Sequence, residues 1–220
     1  MGNRRAEDSS SRGAGSIALI GGHLALDFAN TAGWHASEKW SERLADYGEL
    51  LAWAEHAGAL DKSERGALAR EAQRNPAGAA RALRVVIQLR ETVFRVFSAL
   101  SHGDDPNQAD ISALHSAHVA ALRAAAPRWH PGKRDGRDAE AGIDLAWPAR
   151  PIDLMRPVHP VMIATASLLA RPDIPRLRQC GNHPCGWLFI DSSRSGTRRW
   201  CSSAECGNAV RVRKFRESGG

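Results

Sequence analysis

The four cysteines of this chain form two evenly spaced pairs near its C-terminal end. Cys180 and Cys185 are separated by four residues, and Cys201 and Cys206 repeat that spacing after an interval of fifteen residues. Structural Zn²⁺ sites take four tetrahedral ligands, often thiolates, and two close thiolate pairs joined by a spacer supply them within a short segment. The pattern therefore predicts one structural Zn²⁺ held by all four cysteines, and His183 is expected to be a loop residue.

Two disulfides, or thiols buried independently of one another, are the alternatives for these cysteines. Residues 1–16 lack the apolar segment of a signal peptide, and no run of about 18 apolar residues indicates a membrane span. We therefore expect a cytoplasmic protein with no membrane partner. Since the cytoplasm keeps thiols reduced, disulfides are disfavoured.

The positive charge of the chain lies in the same segment as its cysteines. Residues 171–220 carry 10 of the 30 Lys and Arg residues but only 4 of the 24 Asp and Glu residues, so they hold the whole net charge of +6. Charge and thiols together define a C-terminal module, which we place at 174–216. The module is preceded by a domain at 17–170 and by a polar, Gly- and Ser-rich tail at 1–16 that we expect to be disordered.

Helical periodicity dominates the residues before the module. Asp46 is placed to cap a helix, Lys62–Arg74 predicts a second helix, and Pro76 begins a long third helix with a wide apolar surface. Further helices are predicted at Ile111–Ala125 and Pro157–Ala170. Between them, Trp129 and the alternating Ile143, Leu145 and Trp147 predict two strands of a small β-hairpin. The fold class is therefore mainly α (α+β).

Within the module, the local pattern predicts a knuckle, a hairpin and a helix. Trp187–Ile190 is expected to be a strand that pairs with a return strand at Thr197–Trp200. Ser202 and Ser203 are good helix N-caps, so Cys206 would lie in the first turn of a helix that continues to about Arg216. This order is treble-clef-like and places aromatic residues over the metal.

The residues from Gln179 to Arg216 resemble the CGNR-type zinc finger, with its two cysteine pairs and its WLF-D-S-R-G-RRWC middle. Cys206-Gly207-Asn208 is followed by Ala209, where the signature has Arg. The LDFANT segment at Leu26–Thr31 matches the LDF-x-NT motif of the helical ABATE domain that typically precedes such fingers. The resemblance implies a stress-induced transcriptional regulator whose finger binds DNA.

Basic residues surround the second cysteine pair and could neutralise DNA phosphates. These candidates are Arg194, Arg198, Arg199, Arg211, Arg213, Lys214 and Arg216. At about 100° per residue, the four in the predicted helix spread around its circumference rather than forming one basic face. A basic tail solvated on all sides is the alternative interpretation.

A polar cluster interrupts the first apolar segment of the chain. His23, Asp27, Asn30 and Thr31 are candidates for a small-molecule pocket, in which a carboxylate and an amide would orient a ligand. The alternative is structural, with Asp27 and Asn30 pairing with backbone groups at a turn or a helix end.

The function predicted from these patterns is zinc-dependent transcriptional regulation. The finger would contact DNA, and the N-terminal domain would sense a small-molecule effector or mediate homodimerisation. One alternative is a finger that binds RNA or a protein partner. Another is a small-molecule enzyme with a purely structural zinc, although the chain contains no phosphate loop, nucleophile elbow or HExxH motif and we expect it not to be an enzyme.

Overall fold

The computed structural model describes residues 13–35, 37–38, 40–131, 133–134, 137–138, 141–171 and 174–218. Residues 1–12 of the tail predicted at 1–16 lie outside the described part of the chain. The end of this tail is ordered, because Ala14–Ser16 form a short 3-10 helix and Ala14 is fully buried. The prediction of disorder is therefore wrong for Ala14–Ser16, which pack against the helix that follows Asp46.

Seven α-helices account for about half of the described residues. They are α1 (Leu24–Ala29), α2 (Tyr47–His56), α3 (Lys62–Arg74), α4 (Pro76–His102), α5 (Gln108–Ala124), α6 (His159–Leu169) and α7 (Asn208–Ser218). Asp46 caps α2 by accepting the backbone N–H of Glu49, and a reciprocal Asp61–Glu64 capping box begins α3. The helices predicted from caps and apolar spacing are confirmed, and α3 has the predicted bounds.

The core is built around α4, which contacts α1, α2, α3 and α5. Val86, Val93 and Phe97 of α4 are fully buried. Phe28 of α1 and Trp53 of α2 pack against each other with ring centroids 5.3 Å apart and join the same core. The wide apolar surface of the long helix therefore has the central role that its sequence indicates.

An ion pair buried beneath the short strands β1 (Ala32–Gly33) and β2 (Ser41–Glu42) ties them to α4. The side chain of Arg90 is completely buried and donates two hydrogen bonds to Glu42, at 2.6 and 2.7 Å. Glu91 accepts a third hydrogen bond, at 2.9 Å. A buried guanidinium needs such partners, and Glu42, the partner that lies in β2, therefore ties the β1–β2 pair to α4.

The remaining strands form small antiparallel pairs. β3 (Ala126–His130) pairs with β6 (Gly142–Ala146), which confirms the hairpin expected around Trp129 and Ile143. β4 (Lys133–Arg134) and β5 (Arg137–Asp138) pair within its connection. Among the described residues, no helix is both long and apolar enough to cross a membrane.

The C-terminal module contains one hairpin, but its strands differ from those predicted. β8 (Leu188–Ile190) pairs with the preceding segment β7 (Leu177–Gln179) and not with Thr197–Trp200. Thr197–Trp200 is irregular because its backbone is bound elsewhere. The N–H of Arg198 donates to the Asp191 carboxylate, and the C=O of Arg199 accepts the N–H of Gly181.

The module is joined to the helical domain by the side chain of Asn30. Its Oδ1 accepts the backbone N–H of Leu188 and its Nδ2 donates to the C=O of the same residue, both at 2.9 Å. Ile190 donates its N–H to the C=O of Gly21, and the indole of Trp187 donates to the C=O of Ala32. Residues 21–32, which include LDFANT, thus hold β8 and the residue before it through four hydrogen bonds.

We expect Asn30→Ala to lower the free energy of unfolding by about 2–4 kcal/mol, because it leaves a buried N–H and a buried C=O of Leu188 without partners. Denaturant unfolding of the zinc-loaded chain measures this loss. Asn107→Ala, which removes an exposed cap of α5, is the matched control and should cost about 1 kcal/mol. Equal losses in the two variants would contradict a special role for Asn30.

Candidate metal centre and basic surface

The four cysteines come from the two ends of the C-terminal module. Cys180 directly follows β7, and Cys185 lies in the loop that leads to β8. Cys201 precedes the turn at Ser203–Gly207, in which Cys206 lies, and Ser202 caps that turn by accepting the N–H of Glu205. The capped turn continues directly into α7, so Cys206 lies in the turn that leads into the last helix, two residues before α7 itself begins.

The sulfur atoms have the spacing of a tetrahedral metal site. All four lie within 4.8 Å of one another, with 3.7 Å between Cys185 and Cys201 and 3.6 Å between Cys201 and Cys206. Four thiolates at a Zn–S distance of about 2.3 Å form a tetrahedron whose edges are about 3.8 Å. The separations are too long for disulfide bonds of about 2.05 Å, and all four cysteines are free.

Hydrogen bonds and aromatic packing support this cluster. The backbone N–H of Cys201 donates to Sγ of Cys180 at 3.4 Å, and Nδ2 of Asn182 donates to Sγ of Cys206 at 3.5 Å. Phe189 is fully buried beside the cysteines, with Trp187 and Trp200 packed around it. Such donors stabilise thiolate charge, and the rings exclude water from the metal.

The thiols also influence each other's ionisation. Hydrogen bonds from Cys185, and then from Cys201 and Cys206, lower the pKa of the Cys180 thiol. A divalent cation at the centre would favour the deprotonated form of all four ligands. Since four protein ligands complete the shell of Zn²⁺, the metal at this centre is structural.

Most of the basic residues predicted to contact nucleic acid are exposed. No residue of α7 is buried, so its four cations Arg211, Arg213, Lys214 and Arg216 all face solvent. Arg194 and Arg199 are exposed in the segment before the second cysteine pair, and the guanidinium of Arg199 lies 5.6 Å from the centre of the Trp200 ring.

Arg198 differs from the prediction, because its side chain is turned inward. Its Nε donates to the C=O of Trp200 at 3.0 Å, and an Nη donates to the C=O of Cys201. The guanidinium lies 4.2 Å from the centre of the Phe189 ring. Arg198 therefore supports the metal centre, and its side chain is not arranged as a DNA contact.

Asp191 is a supporting residue that the sequence did not single out. It is fully buried and accepts the backbone N–H groups of Ser193 and Arg198, both at 2.9 Å. Hydrogen bonds from Ser193, together with that from Arg198, hold the pKa of Asp191 below its ordinary value. An isolated Asp before a Ser-rich turn is a weak signal, since the same pattern occurs in many exposed turns.

The candidate ligand residues near α1 mainly bind the protein's own backbone. His23 caps α1, Oγ1 of Thr31 donates to the C=O of Phe28, and Asn30 holds β8 as described above. Oδ1 of Asp27 accepts the N–H of Gly21, and burial raises the pKa of this carboxyl to about 6. These contacts favour the structural alternative over a small-molecule pocket at this position.

A cavity of about 670 Å³ lies elsewhere in the helical domain, between the start of α3, the end of the β3–β6 hairpin and the segment before α6. Leu68, Leu145 and Trp147 form part of its apolar lining. Arg156 and His159 also line it and are paired with Glu64 and Asp153, respectively. Its size and mixed lining are typical of small-molecule sites.

Comparison with protein families gives two matches that together span most of the chain. Residues 22–172 match ABATE, which is described as "putative stress-induced transcription regulator", and residues 176–218 match the CGNR zinc finger. Comparison with curated proteins found no match. The family assignment of the C-terminal segment agrees with its tetrahedral thiolate cluster, and this finger holds one structural zinc.

We expect the purified chain to contain one zinc per molecule and to lose it on Cys201→Ser, because three thiolates leave the shell incomplete. Metal analysis by mass spectrometry measures the content, and a chelator should unfold the C-terminal module. His183→Ala is the control: His183 lies between the first two ligands but outside the cluster, so the variant should keep its zinc. Loss of zinc from His183→Ala would contradict the four-cysteine assignment.

Proposed function

This chain belongs to the ABATE family, and on that premise we propose that it is a cytoplasmic transcriptional regulator whose C-terminal CGNR zinc finger binds DNA. The observation that carries the proposal is the unpacked basic helix α7. Its cations are exposed, and the turn that leads into it contains Cys206 of the metal centre. A helix of eleven residues is about 16 Å long and can lie in the major groove of DNA.

Electrostatics supports DNA as the partner. The net charge of +6 resides in residues 171–220, whereas the rest of the chain is balanced. Such a surface neutralises phosphates and gives affinity that falls steeply with salt. A solvated basic tail would have the same composition, but α7 is held at its root by a zinc site rather than by a flexible connection. RNA or an acidic protein surface would be attracted by the same positive charges. An enzymatic activity has no comparable support.

We expect the zinc-loaded chain to bind duplex DNA with strong salt dependence. Removing two cations with Arg213→Gln/Arg216→Gln should reduce the slope of log K against log salt by about 2, since each phosphate contact contributes about 0.9. Fluorescence anisotropy with duplexes of several sequences measures the slope. Arg81→Gln/Arg84→Gln, which removes two exposed cations from α4, is the matched control and should leave it unchanged.

The same assay separates the alternatives. Tighter binding of single-stranded or duplex RNA than of DNA would favour an RNA partner, and absence of binding to both would favour a protein partner. Ala209→Arg tests whether an added cation strengthens DNA binding. Ala209 is exposed in the first turn of α7, so an Arg at that position should fold and should steepen the salt slope.

For the helical domain we propose effector sensing at the cavity beside Trp147, rather than at the cluster near α1. The cavity's apolar walls and its paired polar groups support this role better than side chains already bound to backbone. Homodimerisation remains the other proposal for this domain. It would be detected as a doubled mass in sedimentation, a measurement independent of the cavity.

Native mass spectrometry of the chain purified from its own cells tests the sensing proposal. We expect a bound small molecule in the wild type and its loss in Ala67→Phe, because Ala67 lines the cavity and the larger side chain would fill it. Ala77→Phe is the control, since Ala77 is exposed on α4 outside the cavity. Retention of the same adduct in Ala67→Phe would place the ligand elsewhere.

A further inference from the structure

An open cleft of about 330 Å³ lies on the side of the finger, between β7 and the segment that precedes the second cysteine pair. Its lining includes three arginines, two glycines and one hydroxyl side chain: Arg178, Gly181, Gly196, Thr197, Arg198 and Arg199. No carboxylate belongs to the lining within the part of the chain that the structure describes. A concave site lined by three cations and no anion selects an oxyanion.

The two walls of the cleft approach closely because Gly181 has no side chain. Its N–H donates to the C=O of Arg199 at 2.8 Å, and a Cβ at Gly181 would lie only 3.1 Å from that oxygen. At the other end, Gly196 adopts a φ of 64°, which turns the chain into the cleft wall. The backbone therefore sets the width of the cleft before any ligand binds.

The three arginines have different roles. Arg198 is bound to backbone carbonyls and contributes a fixed positive charge. Arg199 is exposed beside the Trp200 ring, and its guanidinium makes no hydrogen bond or ion pair with the described residues. Arg178 lies on the opposite wall and donates to the C=O of Leu177 at 2.8 Å. Arg178 precedes the first cysteine and was not among the cations singled out from the sequence.

The basic helix α7 contacts the residue next to the cleft wall. The guanidinium of Arg213 donates to Oδ1 of Asn182 at 3.3 Å, and Asn182 follows Gly181, which lines the cleft. Arg213 of α7 therefore contacts the residue that is next in sequence to the cleft wall. A DNA strand that follows α7 on this side would bring its phosphates past Arg213 and toward Arg199.

We propose that this cleft binds one backbone phosphate of DNA, with Arg199 and Arg178 as its side-chain contacts and Arg198 as a fixed charge. The proposal rests on the proposed DNA binding of the finger and adds a second anchoring point to α7. Two anchors would fix the angle at which the helix meets the duplex. A phosphate contact also predicts affinity without preference for any base at that position.

The test uses anisotropy titrations of the full-length, zinc-loaded chain with unrelated duplexes. Arg199→Gln and Arg178→Gln should each lower the salt slope by about 0.9 and weaken all duplexes by a similar factor. Zinc content of one per chain shows that the finger of each variant is intact. Arg81→Gln on α4 is the control and should leave the slope and the affinities unchanged.

NMR gives a direct readout of binding at the cleft through the backbone amide signals of Gly196 and Thr197. DNA should shift them in the wild type and shift them less in Arg199→Gln. If DNA binds with an unchanged slope in both cleft variants, the cleft proposal is wrong while the proposed function stands. If the wild type binds no DNA, the proposed function itself fails. A shift on adding inorganic phosphate alone, without any shift on adding DNA, would overturn the cleft as a DNA contact and assign it to free phosphate.

Discussion

The tetrahedral cluster of four thiols is the constraint on which the C-terminal part of the structure depends. A segment of about forty residues buries too little apolar surface to fold without a metal, disulfides or support from a neighbour. Here β7 and β8 pair with each other, and the turn before α7 joins them at the cysteine cluster, beside the buried Phe189. Metal–sulfur bonds therefore take the place of much of a core, and they fix the turn that leads into α7, a helix with no buried residue of its own. An isolated helix of eleven residues would be marginal in water, so α7 needs this anchor.

The finger gains its second support from the helical domain. Leu177 and Leu188, at most 1% exposed, belong to the core built around α4 rather than to the cysteine cluster. Asn30 adds two hydrogen bonds to the backbone of Leu188, so the orientation of the finger is determined by packing and by directional bonds. Of the polar residues in LDFANT, Asn30 forms the junction between the domains, whereas Asp27 and Thr31 bind backbone groups of the helical domain. A chain built in this way holds its basic surface at a fixed angle to the helical domain.

Local signals in the sequence predicted most elements of the fold and the metal ligands. The caps at Asp46 and Asp61, the length of α3 and the two cysteine pairs depend only on near neighbours along the chain. The errors arose where a specific side-chain contact, rather than local propensity, decides the outcome. Strand β8 has apolar residues that would fit either neighbour, and the Asp191 carboxylate prevents Thr197–Trp200 from pairing by binding its backbone. Likewise, the sequence predicts that Arg198 is a surface cation. In the structure, backbone carbonyls and the Phe189 ring hold its guanidinium inward.

The distribution of cations around α7 can be interpreted once the face of the helix that lies next to the rest of the finger is known. Residues four and three apart lie on the same face, so Ala209, Arg213 and Arg216 share one face, while Arg211 and Lys214 lie on the opposite side. The contact between Arg213 and Asn182 places the first face against the finger, next to Gly181 of the arginine-lined cleft. Ala209, the position at which this chain departs from the CGNR signature, therefore lies on the side where an arginine would extend the same basic surface. Under the proposed mode of binding, α7 needs no uniform basic face, because the cleft would add a second phosphate contact beside the face that carries Arg213.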